Sequence, residues 1–226
     1  MDSGKKTKLD QDVRTLYDIF QALCRQQRRF WFSPPPQQEP SRRAREAWES
    51  LREQWPPIRE EELELAFMYG DVDTVNFANL RRVLYLPPLS HHECDFVPVL
   101  TIECSRRNAD GLKLSFMLVR DDEVEQQLVG IGFRMEKGEG EHGFYHAQLI
   151  RDLQTGACVE CPRWLPETQP SLPIHAVSSA TLLLCTLLSI YGLDSFWKLI
   201  NEIGQVHRLP VHLEQFSEWF PRNERR

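Results

Sequence analysis

Two short segments carry soft metal ligands at close spacing. Cys158 and Cys161 form a Cys-x-x-Cys pair, and His91 and Cys94 form a second pair earlier in the chain. Zinc takes four ligands of these types in a tetrahedral arrangement, so the two pairs together make a Cys3His set. The residues between the pairs carry the pattern of a whole sheet, and Pro162 follows the last cysteine directly. Two alternatives stay open: a zinc site, structural or in a metal-dependent hydrolase, or unrelated thiols at strand ends.

A second chemically distinctive segment combines arginine with aromatic residues. Between its first and last arginine the only carboxylate is Glu39. Arginine binds phosphate or carboxylate with two parallel hydrogen bonds and also stacks on rings, so the segment could bind an acidic protein surface or nucleic acid. Alternatively, the rings anchor the segment on the core while the arginines stay solvated. The residues predicted to contact a partner are Arg25, Arg28, Arg29, Phe30, Trp31, Phe32, Arg42, Arg43 and Arg45.

Motifs typical of enzymes are missing from the sequence. It contains no Gly-x-Ser-x-Gly elbow, no phosphate-binding glycine loop and no His-Glu-x-x-His pair. His142 and His146 would share one face of a predicted strand, but at a separation of about 13 Å they are too far apart to hold one metal ion. We therefore interpret them as polar residues of a turn and of a partly exposed strand.

Composition restricts the class of protein. The 226 residues are 41% hydrophobic and 27% charged, as in ordinary globular domains, and they predict one main core. The formal net charge of -6 argues against general binding of polyanions, so any nucleic-acid site has to be local. No secretory signal pattern opens the sequence, which leads us to expect a cytoplasmic protein. The apolar stretch 176–193 is interrupted by serine and threonine and fits a buried helix better than a membrane span.

The elements that position these residues begin with helices. Apolar residues recur at helical spacing from Leu9 to Leu23, and the proline-rich segment 34–40 then predicts an extended linker. Ser41 is a suitable N-cap for a second helix over 41–55. We predict that 1–57 form a helical N-terminal arm with this linker and that 58–226 form the core domain. Within 58–86 the spacing of apolar residues predicts two further helices, the second one carrying Val75 and Leu80.

The middle of the chain changes to a period of two, which is typical of strands. Alternating runs near residues 100, 116 and 132, and a fourth over 144–153, are separated by short turns, so we expect an antiparallel meander of about four to five strands. A mostly apolar helix should follow up to Tyr191, with a break at Gly192 and a second helix to about Ile203. The predicted fold is α+β, with the meander packed on the C-terminal apolar helix.

These patterns favour a non-catalytic interaction or scaffold protein, a subunit of a larger intracellular assembly whose partner is another protein. The sequence requires no cofactor and indicates no membrane partner. Two alternatives remain: a zinc-containing protein or metal-dependent hydrolase using His91, Cys94, Cys158 and Cys161, and an accessory protein that binds nucleic acid through the arginine-rich segment 25–45.

Overall fold

The computed structural model describes residues 9, 11–34, 39–69, 73–88, 96–122, 127–138, 145–150, 159–160, 171–174, 176 and 178–203. The predicted α+β class is confirmed. The α-helices are α1 (Gln11–Gln27), α2 (Arg42–Gln54), α3 (Glu60–Glu64) and α4 (Ser179–Ile203). Two π-helical turns cover Arg28–Phe32 and Leu65–Tyr69, and a 3-10 turn covers Ala109–Gly111. The strands are β1 (Thr74–Asn76), β2 (Leu84–Tyr85), β3 (Val97–Ser105), β4 (Lys113–Asp122), β5 (Gln127–Lys137), β6 (Tyr145–Ile150), β7 (Val159–Glu160) and β8 (Ser171–Pro173).

All these strands belong to one sheet. The order β1-β3-β4-β5-β6-β8 is antiparallel throughout, and β3 to β6 are the predicted meander. β2 pairs with β3 beside β1, and β7 adds to β5 in the parallel direction. The meander follows the sequence order because short turns can join only antiparallel neighbours.

One face of the sheet, the first face, is covered by helices from both ends of the chain. Side chains of α1, α3 and α4 share a single buried cluster with alternate strand residues such as Leu100, Ile102, Leu114 and Phe116. The helix α1 contributes a continuous buried stripe to this cluster, including Phe20, as its period of apolar residues predicts.

The opposite face, the second face, is covered by the Arg28–Phe32 turn and by α2. Strand residues Val97, Val99, Met117 and Val119 pack there against a separate cluster built mainly from tryptophan and alanine side chains. The predicted cap of α2 is confirmed, because the Ser41 Oγ accepts a hydrogen bond of 3.0 Å from the amide of residue 44. The sheet thus lies between two helical layers. The predicted boundary at residue 57 stays a prediction.

The C-terminal helix α4 breaks where the sequence predicts. Gly192 has φ +66° and ψ 172° between two helical stretches, a conformation that is essentially restricted to glycine. The segment Ser179–Asn201 is long and apolar enough to cross a membrane, but 56% of its most apolar window is buried in the structure. A buried core helix passes the same test, and α4 packs on the first face.

The predicted helix carrying Val75 and Leu80 is wrong. Val75 lies in β1, which pairs with β3, and a turn leads from there to β2. The apolar residues of this segment fit a helical stripe by spacing alone, but pairing with the open edge of β3 satisfies their backbone groups. Leu80, which the helix would have buried, is 66% exposed in the turn.

Candidate functional site

The predicted partner-binding residues lie on two consecutive helical segments. Residues Arg25 to Phe32 occupy the end of α1 and the π-helical turn after it, and Arg42 to Arg45 open α2. We call all nine the arginine-aromatic surface: Arg25, Arg28, Arg29, Phe30, Trp31, Phe32, Arg42, Arg43 and Arg45. The two segments meet where the Arg45 Nη1 donates to the carbonyl oxygen of Trp31 at 3.4 Å.

A buried amide fixes the end of α1 against the sheet. The Gln27 Nε2 donates to the carbonyl oxygen of Ile58 at 2.9 Å, and the Gln27 Oε1 accepts from the amide of Tyr85 in β2 at 2.7 Å. Both partners are backbone groups in the protein interior, and the Ile58 carbonyl also accepts from the Cys24 Sγ at 3.8 Å. The helix therefore ends at a defined place, and the following turn carries its aromatic residues to the second face of the sheet.

The three aromatic residues of the surface have different environments. Trp31 is fully buried and Phe30 is nearly so, whereas Phe32 is 48% exposed. The Trp31 Nε1 donates to the carbonyl oxygen of Leu86 at 2.7 Å, which ties the turn to the strand region. Two of the rings predicted to contact a partner are therefore anchors of the fold, and Phe32 remains accessible.

Trp48 of α2 lies at the centre of the aromatic packing. Its ring stacks on Trp31 with centroids 5.6 Å apart, and Phe32 contacts it edge-on at 5.2 Å. The guanidinium of Arg52 lies 4.5 Å from the Trp48 centroid, a cation–π distance. Among the described residues, the buried Trp48 Nε1 has no hydrogen-bond partner. In the sequence, Trp48 lies within the predicted second helix over 41–55 and belongs to no functional motif.

Several arginine side chains of this surface extend into solvent. The side chains of Arg25, Arg28 and Arg42 are 59%, 75% and 84% exposed. Arg25 and Arg28 share one carboxylate, that of Glu60, at 3.3 and 4.0 Å. The guanidinium of Arg29 lies over the Phe30 ring at 5.3 Å. Exposed ion pairs of this kind contribute little to stability, so Arg25, Arg28 and Arg42 can exchange their present partners for external carboxylates or phosphates.

A row of polar side chains crosses the second face beyond the aromatic packing. Cα partners run in register from β1 through β3, β4 and β5 to β6, and alternation along β3 puts them on the same face as Val99. The sequence does not reveal this row, because the register that aligns its members is set by strand pairing. We call it the polar row: Asn76, Glu103, Lys113, Glu136 and His146.

Charges in the polar row compensate one another. Glu103 accepts from the Asn76 Nδ2 at 2.7 Å and lies 3.7 Å from the Lys113 Nζ. Glu136 lies 3.7 Å from the His146 Nε2, and its carboxylate is also 3.1 Å from the Nε of Arg134. The Glu136 carboxylate therefore lies between a guanidinium and an imidazole.

The polar row shows no direct hydrogen bond between His146 and Glu136. The His146 Nε2 lies 3.7 Å from the Glu136 carboxylate, which exceeds the length of a hydrogen bond. A ladder of opposite charges between strands is an ordinary way to stabilise a half-buried sheet face. We therefore interpret the polar row as structural.

The predicted zinc ligands lie outside the described residues. His91, Cys94, Cys158 and Cys161 have no described structure, so this alternative stays a prediction. Within the described ranges, no group of three or more His, Cys, Asp or Glu residues could hold a metal ion.

The described thiols are poor nucleophiles. Cys24, Cys104 and Cys185 are free, and the first two are buried. Burial raises the pKa of Cys104 to about 12 and that of Cys185 to about 11, and it also raises the pKa of Cys24. Thiols with such pKa values stay protonated at neutral pH and are inert.

Comparisons with known proteins give no assignment. No family model matches the chain, and no curated protein or solved structure matches it either. Any statement about function therefore depends on the residues themselves.

Proposed function

We propose that this chain is a non-catalytic interaction subunit that binds an acidic protein surface through the arginine-aromatic surface. The observation that carries the proposal is the exposure of Arg25, Arg28 and Arg42 on segments held against the sheet by buried tryptophans. Arginine on a rigid support loses less conformational entropy on binding than arginine on a flexible tail. Arginine and aromatic residues are also the types that contribute most to protein interfaces.

The same geometry favours a protein partner over nucleic acid. Single-stranded nucleic acid is bound largely by stacking of bases on accessible rings. Phe30 and Trp31 are buried, so only Phe32 of the predicted aromatic residues could stack on a base. Carboxylates on a partner need only the arginines, with Phe32 as an apolar contact beside them.

Capture of bound proteins by a tagged full-length chain in its own cells tests this proposal. In the variant Arg28→Glu/Arg42→Glu we expect at least about tenfold less of the specific partner, because like charges would face its carboxylates. The matched control is Arg107→Glu/Lys198→Glu, which changes the net charge equally at exposed positions elsewhere and should leave capture unchanged.

Two results would count against the proposal. Equal loss of the partner in both variants would indicate a general effect of net charge. Capture of nucleic acid, with binding that weakens steeply as salt increases, would favour the nucleic-acid alternative instead.

A further inference from the structure

We infer that the acidic surface bound by Arg28 and Phe32 is the Glu61–Leu65 side of a second copy of this chain. The inference rests on the proposed function and names a partner for the same surface. It starts from two exposed side-chain pairs with equal spacing. Arg28 and Phe32 lie four residues apart on one helical segment, and Glu61 and Leu65 lie four residues apart on another.

The exposure of these four residues is notable because two of them are apolar. Phe32 is 48% exposed and Leu65 is 60% exposed, and Tyr69, four residues further on, is 40% exposed. Glu61 is also exposed and forms no ion pair among the described residues. One segment therefore presents a cation with an aromatic ring, and the other presents a carboxylate with aliphatic and aromatic side chains.

The two segments are neighbours in the fold. Glu60 at the start of α3 contacts both Arg25 and Arg28 across the boundary, at 3.3 and 4.0 Å. The basic segment and the start of the acidic segment are therefore adjacent at this boundary. Two copies of the chain can therefore associate about a two-fold axis at this boundary, with the basic segment of each copy against the acidic segment of the other.

In this arrangement each contact occurs twice. Arg28 of one copy pairs with Glu61 of the second copy, and Phe32 packs on Leu65 of the second copy. Each charged contact is accompanied by an apolar contact four residues further along the same segments. Because exposed ion pairs are weak and the patch is small, we expect association that depends on protein concentration and weakens with salt.

The two-fold arrangement gives a test by charge exchange. Arg28→Glu places two like-charged contacts in its own dimer, and Glu61→Arg does the same with opposite sign. In a 1:1 mixture of the two variants, however, every contact joins opposite charges. Sedimentation velocity of the full chain should show a concentration-dependent dimer for the unsubstituted protein. Each variant alone should associate at least about tenfold more weakly, and the mixture should regain the dimer.

Circular dichroism of each variant verifies that it is folded, and Arg107→Glu is the matched control that should keep the dimer. The inference is overturned by any of three results. These are a monomer at about 100 μM protein, where a micromolar complex would be formed, a dimer that neither reversal weakens, or a mixture that stays monomeric.

The outcomes separate this inference from the proposed function. A monomeric protein whose captured partner is still lost in Arg28→Glu/Arg42→Glu would overturn self-association and leave the proposed function standing. A variant Glu61→Arg that loses the dimer but keeps that captured partner would show that the two interactions are distinct. That result would support self-association and assign the acidic partner to the other arginines.

Discussion

The two faces of the sheet are covered in different ways. The first face is apolar along β3 and β4 and is buried under α1, α3 and α4 as one cluster. The second face is divided, with aromatic packing under α2 beside the polar row. A continuous apolar face is a strong driving force for folding, whereas a divided face contributes less hydrophobic burial. We conclude that the first face contributes more of the hydrophobic burial, whereas α2 and the turn on the second face carry residues for which we propose a binding role.

Truncation of a side chain that packs on the first face should have the largest effect on the free energy of unfolding. Phe20→Ala removes a fully buried ring of α1 that contacts Phe67, and it should lower the free energy of unfolding by about 3–5 kcal/mol. Urea denaturation measures this change. Gln21→Ala, the neighbouring and partly exposed position, should stay within about 0.5 kcal/mol of the unsubstituted protein. A loss below about 1 kcal/mol for Phe20→Ala would mean that α1 does not belong to the core.

On the second face, two tryptophan substitutions distinguish the contribution of a hydrogen bond from that of packing. Trp31→Phe leaves the buried carbonyl of Leu86 without its donor, whereas Trp48→Phe removes an indole N–H that has no described partner. We expect Trp31→Phe to cost about 1–3 kcal/mol more than Trp48→Phe in the same denaturation experiment. Equal costs would indicate that the 2.7 Å bond to Leu86 contributes nothing.

The free energy of unfolding should fall at alkaline pH because of the buried thiols on the first face. Burial raises the pKa of Cys104 from 9.0 to about 12, so the folded protein keeps this proton while the unfolded chain releases it above pH 9. The unfolded state then binds fewer protons, and stability falls as pH rises, by up to about 1.4 kcal/mol per pH unit for each such thiol between the two pKa values.

The measurement is the pH dependence of unfolding from pH 8 to 11, and Cys104→Ala should show a shallower slope. The slope is the readout, because the cavity left by the substitution lowers stability at every pH. An unchanged slope would place the titrating group elsewhere.

The smallest effect concerns the polar row. Glu136→Gln removes the charge that faces both Arg134 and His146, and we expect a loss of about 1 kcal/mol because Glu136 and Arg134 are only partly buried. Thermal denaturation at neutral pH measures it against Glu53→Gln, an exposed control on α2. A gain in stability would show that desolvation of the Glu136 carboxylate costs more free energy than its contacts with Arg134 and His146 return.

Local chemistry made several features predictable. The cap at Ser41 and the break at Gly192 follow from side chains and backbone freedom that act within a few residues. The meander also follows, since alternation and short turns allow few other arrangements. These features do not depend on which distant segment packs against them.

The other features of the fold depend on contacts between distant segments, so the sequence alone could not predict them. The stripe through Val75 fits a helix as well as a strand, and only the edge of β3 decides between them. A π-helical turn changes the angular spacing of side chains, so sequence periodicity could not show that Trp31 is buried while Phe32 is exposed. The polar row joins Glu103 to His146 through a register that only the assembled sheet defines.

Hydrogen exchange measured by mass spectrometry tests most directly whether the N-terminal helices belong to the two faces of the sheet. Amides of residues 13–24 in α1 should be protected to the same degree as those of β3 and β4, because they open only when the core unfolds. Amides of 44–51 in α2 should also be protected, and the N-terminus of α2 should exchange faster. Exchange of 13–24 within seconds, with β3 and β4 still protected, would contradict the account, because α1 would then be an independent arm.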